Sequence, residues 1–203
     1  PIPDRGRDFD SFEALPFSKI LVRNMVKGVI VAPQSEAAEV GICVLRNGGN
    51  AIDAAITAGF VQTVVDFQMC GIAGLGTMLV YIRKRNKVYN INFYEKAPYT
   101  AYPKMYKPLR LNNQKDGLYT VRNLENQVGY KAVATPGTLW GFYEALRRFG
   151  TLSWKEAMEP AIRFAKEGIQ ISQEQFDIWH RKWREGDVDN RTKLNATKEC
   201  SKI

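Results

Sequence analysis

Side chains that could act as nucleophiles or metal ligands are few in this sequence and lie far apart. The three cysteines, Cys43, Cys70 and Cys200, form no CxxC pair, and the one histidine, His180, has no cysteine near it. This spacing favours neither a disulfide framework nor a zinc site. A cysteine nucleophile needs an adjacent base, and the sequence places none beside Cys70. We therefore expect no metal and no cofactor, and we interpret Cys70 as a small residue at a crowded turn.

Two acidic residues and a glycine-rich segment are the remaining candidates for chemistry. Asp53 lies in an alanine-rich helical pattern and is interpreted as a structural polar contact, and Glu95 as an anchor for a strand end. The glycines of residues 71–76 could line an anion site. A phosphate loop, however, follows a strand and precedes a helix, and the order here is reversed. The segment is therefore predicted to be a tight backbone crossing between a helix and a strand.

The patterns in the first part of the chain predict two helices. A short apolar run at residues 29–32 predicts a strand, and helical spacing then begins at Ser35 and stops at a Gly-Gly pair. A second helix, AIDAAITAGFVQTVV over residues 51–65, is apolar nearly all round. Such a helix is usually buried, and Asn50 is its expected cap.

The rest of the chain predicts a hairpin, a loop and more helices. Strand-like runs at residues 77–82 and 88–94 flank the polar run RKRNK and indicate the hairpin. Residues 99–130 lack a clear period and predict a long loop. The final third is helical, and capping boxes are expected at Ser153 with Glu156 and at Ser172 with Gln175. Together these elements indicate mixed α/β layers.

Length and composition indicate one globular core. The chain has 203 residues, 45% of them hydrophobic, and a net charge of +8. We expect a single partial domain over residues 1–203, with a lead-in segment at 1–27 and a polar basic tail at 181–203. Nucleic-acid binding would need a recognisable module beside the charge, and none is present, so we expect no nucleic-acid partner; binding of anionic polymers is a weaker hypothesis. No stretch is long and apolar enough to predict a membrane span.

Several blocks of sequence, taken together, resemble the gamma-glutamyltransferase family. Residues 28–60 carry an alanine-rich helix followed by G-G-N-A-x-D-A-A, and GIAGLGTMLVY is similar to the family's glycine-rich turn into a strand. FYEKAP stands where the family has F-R-E-x-A-P, and residues 134–172 resemble its P-G helix and its W-x-x-x-x-x-P-A-I helix. The blocks occur in family order over roughly residues 25–175, which makes the combination more specific than any one block.

The resemblance implies the four-layer αββα fold of the N-terminal-nucleophile hydrolases, of which this chain would be the N-terminal part. In that family one precursor cuts itself, and a threonine that begins a separate small subunit attacks an amide carbonyl. The threonine's own α-amine acts as the base, and water or an amine releases the acyl-enzyme. We therefore expect no catalytic residue in this chain, a nucleophilic Thr beyond Ile203, and a small subunit from the same precursor as the partner.

The FYEKAP segment is the expected substrate-binding part of the chain, with Tyr94, Glu95 and Lys96 as its candidates. Family members that bind γ-glutamyl groups hold the substrate's α-carboxylate with the arginine of F-R-E-x-A-P, because a forked guanidinium bonds both oxygens. Tyr94 occupies that position here and offers one hydrogen bond without charge. Lys96 can compensate only if regular strand pairing places both side chains on one face.

Three hypotheses about activity remain open. The first is a self-processing hydrolase or acyl transferase that acts on a small-molecule amide or γ-glutamyl-type substrate. The second, favoured by Tyr94, is a non-glutamyl acylase or amidohydrolase of the same family, and the third is an inactive member that serves as a secreted binding protein. Two N-x-[ST] patterns, at Asn190 and Asn195, fit glycosylation acceptors. They slightly favour a secreted or periplasmic location over a cytoplasmic one, and the compartment stays open.

Overall fold

The computed structural model describes residues 28–109, 121–181, 188–196 and 198. The expected lead-in at residues 1–27 lies outside this part of the chain, as do Cys200 and Ile203. In chain order, the helices and strands are α1 (Ser35–Arg46), α2 (Ala51–Val65), β1 (Thr77–Ile82), β2 (Lys87–Asn92), α3 (Thr138–Phe149), α4 (Trp154–Glu167), α5 (Gln173–His180) and α6 (Asn190–Leu194).

Helix α2 is the centre of the core, and its first turn is fixed by its own sequence. The Asn50 side chain accepts hydrogen bonds from the backbone nitrogens of Ile52 and Asp53, at 2.8 and 3.1 Å. In return, the Asp53 carboxylate accepts the Asn50 backbone N–H at 2.8 Å. Further along, Ile56 and Phe60 are fully buried. The prediction of a buried helix capped by Asn50 is confirmed, and the buried apolar surface stabilises it.

Helices α1, α3 and α4 pack around α2 through small residues. Ala37 of α1, Ala145 of α3 and Ala157 of α4 are completely buried, which lets the helix backbones approach closely. The Phe60 ring contacts the rings of Phe142 and Trp154 edge to face, with centroids 5.1 and 5.0 Å apart. These aromatic contacts join α2 to α3 and to α4. The capping boxes predicted at Ser153 and Ser172 are both confirmed.

Strands β1 and β2 form an antiparallel hairpin, as predicted. Their register runs from Thr77 opposite Asn92 to Ile82 opposite Lys87. One face of this two-stranded sheet is buried against the helices. Side chains of the opposite face remain largely exposed, although three of them are apolar: Leu79, Tyr81 and Val88. The described residues thus place a helical layer on one face of a sheet, which confirms the predicted mixture of helix and strand.

Residues 29–32 do not form the predicted strand. Val29 and Val31 are almost fully exposed, and neither β1 nor β2 pairs with this segment. A strand needs a neighbour to satisfy its backbone groups, and the apolar run alone could not show whether one is present. Within the expected tail at residues 181–203, α6 forms a short helix whose Asp189 cap accepts the Thr192 N–H at 2.7 Å. No helix in the described ranges has the length and hydropathy to cross a membrane.

Candidate functional site

A cavity of about 240 Å³ opens where β2 ends and α3 begins. Its walls come from two short segments, the residues that follow β2 and the Pro-Gly turn that leads into α3. This volume is somewhat below the range of about 300–1,000 Å³ that is common for small-molecule sites. The lining residues are Asn92, Phe93, Tyr94, Lys96, Thr135, Pro136, Gly137 and Trp140.

Backbone hydrogen bonds hold the two segments together. Lys96 and Thr135 form an isolated antiparallel bridge, in which the Thr135 N–H donates to the Lys96 carbonyl at 2.9 Å and the Lys96 N–H donates back at 3.4 Å. The Gly74 carbonyl accepts the N–H groups of Gly137 and Thr138 at 3.0 and 3.2 Å. These bonds satisfy two of the otherwise unpaired N–H groups at the start of α3. The walls of the cavity are therefore fixed by main chain.

Glycines are required where these segments cross. A Cβ added at Gly137 would lie 2.1 Å from the Phe93 carbonyl oxygen, and one at Gly76 would lie 2.6 Å from the Phe93 ring. The Phe93 N–H in turn donates to the Gly76 carbonyl at 3.0 Å. The glycine-rich segment at residues 71–76 thus brings backbones into contact, as predicted.

The structure separates the three candidate substrate-binding residues. Tyr94 and Lys96 both line the cavity, as alternation along an extended chain requires, whereas the half-buried Glu95 does not. Tyr94 is 58% exposed, and its backbone N–H donates to the Asn92 side-chain oxygen at 3.0 Å. Among the residues that the structure describes, none hydrogen-bonds the Tyr94 hydroxyl, the Lys96 ammonium or the Glu95 carboxylate. Polar groups for a ligand are thus available on the Tyr94 and Lys96 side.

Trp140 is one of the lining residues that sequence reasoning missed. It lies in the first turn of α3, outside the buried face formed by Thr138, Gly141 and Ala145. Its side chain is 56% exposed although tryptophan is a large apolar residue. The signal in the sequence was a tryptophan off the apolar stripe of an amphipathic helix, directly after a Pro-Gly turn.

Asp53 is a structural residue, as interpreted from the sequence. Its carboxylate is fully buried and accepts hydrogen bonds from the Thr151 N–H and hydroxyl, both at 2.7 Å, and from the Leu152 N–H at 3.0 Å. With the Asn50 N–H this makes four donors on one carboxylate. Each of these hydrogen bonds comes from the start of α2 or from the connection between α3 and α4. Asp53 therefore joins helices, and it does not line the cavity.

Cys70, interpreted as a small residue at a crowded turn, and the single histidine also lie away from the cavity lining. The Cys70 sulfur lies 3.5 Å from the carbonyl oxygens of Gln62 and Asp66. Burial raises the pKa of this thiol, and the negative charge of Asp66 raises it further. His180 contacts Phe176, through a ring nitrogen 2.8 Å from its carbonyl oxygen and through ring packing at 4.3 Å. Within the described ranges no three His, Cys, Asp or Glu side chains group as metal ligands do.

Two solved structures of gamma-glutamyltranspeptidases share the fold of this chain. Gamma-glutamyltranspeptidase of Helicobacter pylori superposes with a TM-score of 0.73 and 30% identity, over 89% of this chain and 47% of that one. The enzyme of Pseudomonas nitroreducens, complexed with L-DON, superposes with a TM-score of 0.65 and 35% identity, over 74% and 42%.

The chain belongs to the gamma-glutamyltranspeptidase family, whose family model matches residues 37–197. The glutathione hydrolase proenzyme of Pseudomonas aeruginosa is 36% identical over 149 residues, which are 73% of this chain and 25% of that protein. The Acylase ACY 1 proenzyme of Pseudomonas sp. strain V22 is 39% identical over 148 residues, 72% and 26% of the two chains. The chain thus spans about a quarter of the curated relatives it matches, and the resemblance found in the sequence is confirmed.

Proposed function

We propose that this chain is the large-subunit part of a self-processing amide hydrolase or acyl transferase. Its relatives are named glutathione hydrolases and acylases, and both names are those of proenzymes. The nucleophile would be a threonine at the start of a small subunit, beyond Ile203 in the precursor. Cys70, whose thiol pKa is raised, is a poor alternative nucleophile.

The cavity at the end of β2 is the observation that carries this proposal. It holds Tyr94 and Lys96 at the place where the family's substrate-gripping segment is expected. In the proposed reaction, the threonine hydroxyl attacks the substrate's amide carbonyl and passes its proton through the α-amine to the leaving amine. Water or a second amine then attacks the acyl-enzyme, which releases the acyl product and regenerates the threonine. The role of this chain is to bind and orient the acyl group.

The exposed face of the hairpin supports the four-layer αββα arrangement as part of this proposal. Helices cover one face of β1 and β2, while Leu79, Tyr81 and Val88 stand on the other. Two-stranded sheets are marginal alone and gain stability when both faces are covered. In the proposed fold, a second sheet from the same precursor packs on this face.

Intact mass and N-terminal sequencing of the full-length protein that contains this chain test the proposal. We expect two polypeptides, the second of which begins with Thr. Substitution of that threonine by alanine should leave one uncut chain and abolish amide hydrolysis. A single chain that stays uncut on long incubation would contradict the proposal and favour an inactive relative with a binding role.

A non-glutamyl acylase is a second candidate function, favoured by Tyr94. A phenol in place of the guanidinium removes the charge that would bind a substrate α-carboxylate, and loss of such a contact costs about 2–5 kcal/mol where the partner is buried. Tyr94→Arg should therefore raise kcat/KM for γ-glutamyl-p-nitroanilide. Tyr99→Arg is the matched control, because Tyr99 is a fully exposed tyrosine that does not line the cavity. Vigorous γ-glutamyl turnover by the native protein, unchanged in Tyr94→Arg, would exclude this second candidate.

A further inference from the structure

Trp140 lines the cavity, and the described part of the chain leaves its side chain half-exposed. It stands on the first turn of α3, 56% exposed, while Thr138 and Gly141 form the buried face of the same turn. The other exposed aromatic residue of this face, Tyr143, already packs against Trp154 with ring centroids 5.8 Å apart. Indole surface left in water stabilises nothing, whereas a flat apolar ligand would gain by covering it.

Charges on this chain's side of the cavity do not suit a zwitterionic head group. Lys96 is the one charged residue among those that line it, and Asn92, Tyr94 and Thr135 supply only neutral polar groups. An ammonium group on a ligand would face a cation and find no carboxylate among the lining residues. A neutral acyl group with a ring avoids this repulsion and still has hydroxyl and amide groups to orient it.

We propose that Trp140 is a specificity-determining residue and that the cavity takes an acyl group bearing a flat aromatic ring, of the arylacetyl class. This inference rests on the proposed function, since it names the acyl donor of the same site. The ring would stack on the indole, with the acyl carbonyl directed towards the small subunit's threonine. The Tyr94 hydroxyl would form a polar edge of the cavity, opposite the indole of Trp140.

The framework of the cavity allows the role of Trp140 to be separated from stability. The Lys96–Thr135 bridge and the Gly74–Gly137 hydrogen bond fix the walls without any contribution from the indole. Removal of a half-exposed side chain leaves no enclosed void, so Trp140→Ala should fold. Leu139→Ala is a matched control, because Leu139 is the preceding residue, is 43% exposed and does not line the cavity.

The test compares phenylacetyl-p-nitroanilide with acetyl-p-nitroanilide as substrates of the full-length protein. We expect the native protein to prefer the phenylacetyl substrate and the ratio of the two kcat/KM values to fall about tenfold in Trp140→Ala. The loss should lie mainly in KM, and Trp140→Phe should recover part of it. Leu139→Ala should keep the native ratio. Equal ratios in Trp140→Ala and Leu139→Ala would overturn the inference even if both substrates are hydrolysed.

Binding of phenylacetate, measured by calorimetry, separates this inference from the proposed function. Binding by the native protein that is weakened about tenfold in Trp140→Ala supports the role of Trp140 whether or not an anilide is hydrolysed. Binding without any hydrolysis would count against the proposed function alone. Absence of phenylacetate binding to the native protein would overturn the inference.

Discussion

The carboxylate of Asp53 accepts both the backbone N–H and the hydroxyl of Thr151 at 2.7 Å, across 98 residues of sequence. Together with the bond from the Asn50 side chain to the Phe149 carbonyl at 2.8 Å, this contact clamps the start of α2 to the connection between α3 and α4. The G-G-N-A-x-D-A-A block is thus explained by structure: its Asn and Asp hold helices together and take no part in the cavity.

Asp53→Asn should destabilise the protein by about 3 kcal/mol. An amide replaces one acceptor oxygen with an NH2 group that faces other donors, which leaves buried hydrogen-bonding groups unpaired. Denaturant unfolding of the full-length protein measures the change. Asp177→Asn, at an exposed position on α5, is the control and should change stability by no more than about 0.5 kcal/mol. Equal effects of the two substitutions would contradict a clamp at Asp53.

Glu144→Gln should destabilise the protein at neutral pH and have little effect in acid. Hydrogen bonds from Arg147, at 2.9 and 3.0 Å, and from Arg148 lower the pKa of Glu144 to about 2, against a smaller opposing effect of burial. Because the pKa of Glu144 is lower in the folded state, its charge stabilises the protein at pH values above the ordinary pKa of 4.5. This contribution disappears as the pH falls towards 2. Thermal unfolding from pH 7 to pH 2 measures the difference in Tm between variant and native protein. A difference independent of pH would show that the charge of Glu144 is unimportant.

Gly137→Ala should disrupt the cavity. The added methyl group would meet the Phe93 carbonyl oxygen at 2.1 Å, so the start of α3 would have to move away from the end of β2. We expect a lower Tm and a loss of the proposed amide hydrolysis. The control is Gly71→Ala, whose added carbon would lie 3.7 Å from the Phe67 carbonyl oxygen, an ordinary contact. Full activity of Gly137→Ala would mean that the two segments can separate without harm.

Cys70→Ser should keep native activity, and the Cys70 thiol should react slowly at neutral pH. Because burial and Asp66 raise its pKa, the reactive thiolate is scarce at pH 7 and increases only as the pH rises above the ordinary thiol value. Mass spectrometry of iodoacetamide-treated protein at pH 7 and pH 9.5 gives the labelling rates at this position. Rapid labelling at pH 7, or an inactive Cys70→Ser variant, would contradict this and make Cys70 a candidate nucleophile.

Local features of the structure could be predicted from the sequence because local chemistry decides them. Asn50, Ser153 and Ser172 cap helices through residues three positions away, and the Gly-rich segment forms the close crossing that its order of elements indicated. Features that depend on distant residues could not be predicted. The partner of Asp53 lies 98 residues away, and Trp140 meets the end of β2 only after the intervening loop returns. The apolar run at residues 29–32 failed as a strand because pairing depends on a neighbour.

The bridge between Lys96 and Thr135 fixes both ends of the connection between them, of which the structure describes residues 97–109 and 121–134. The loop leaves and returns at the rim of the cavity, and its two ends are pinned there by paired backbone groups. Lengthening a loop between fixed ends is inexpensive, since doubling its length costs only about 0.6 kcal/mol. Segments inserted in this connection should therefore leave the helices folded, and each inserted segment would emerge beside the cavity.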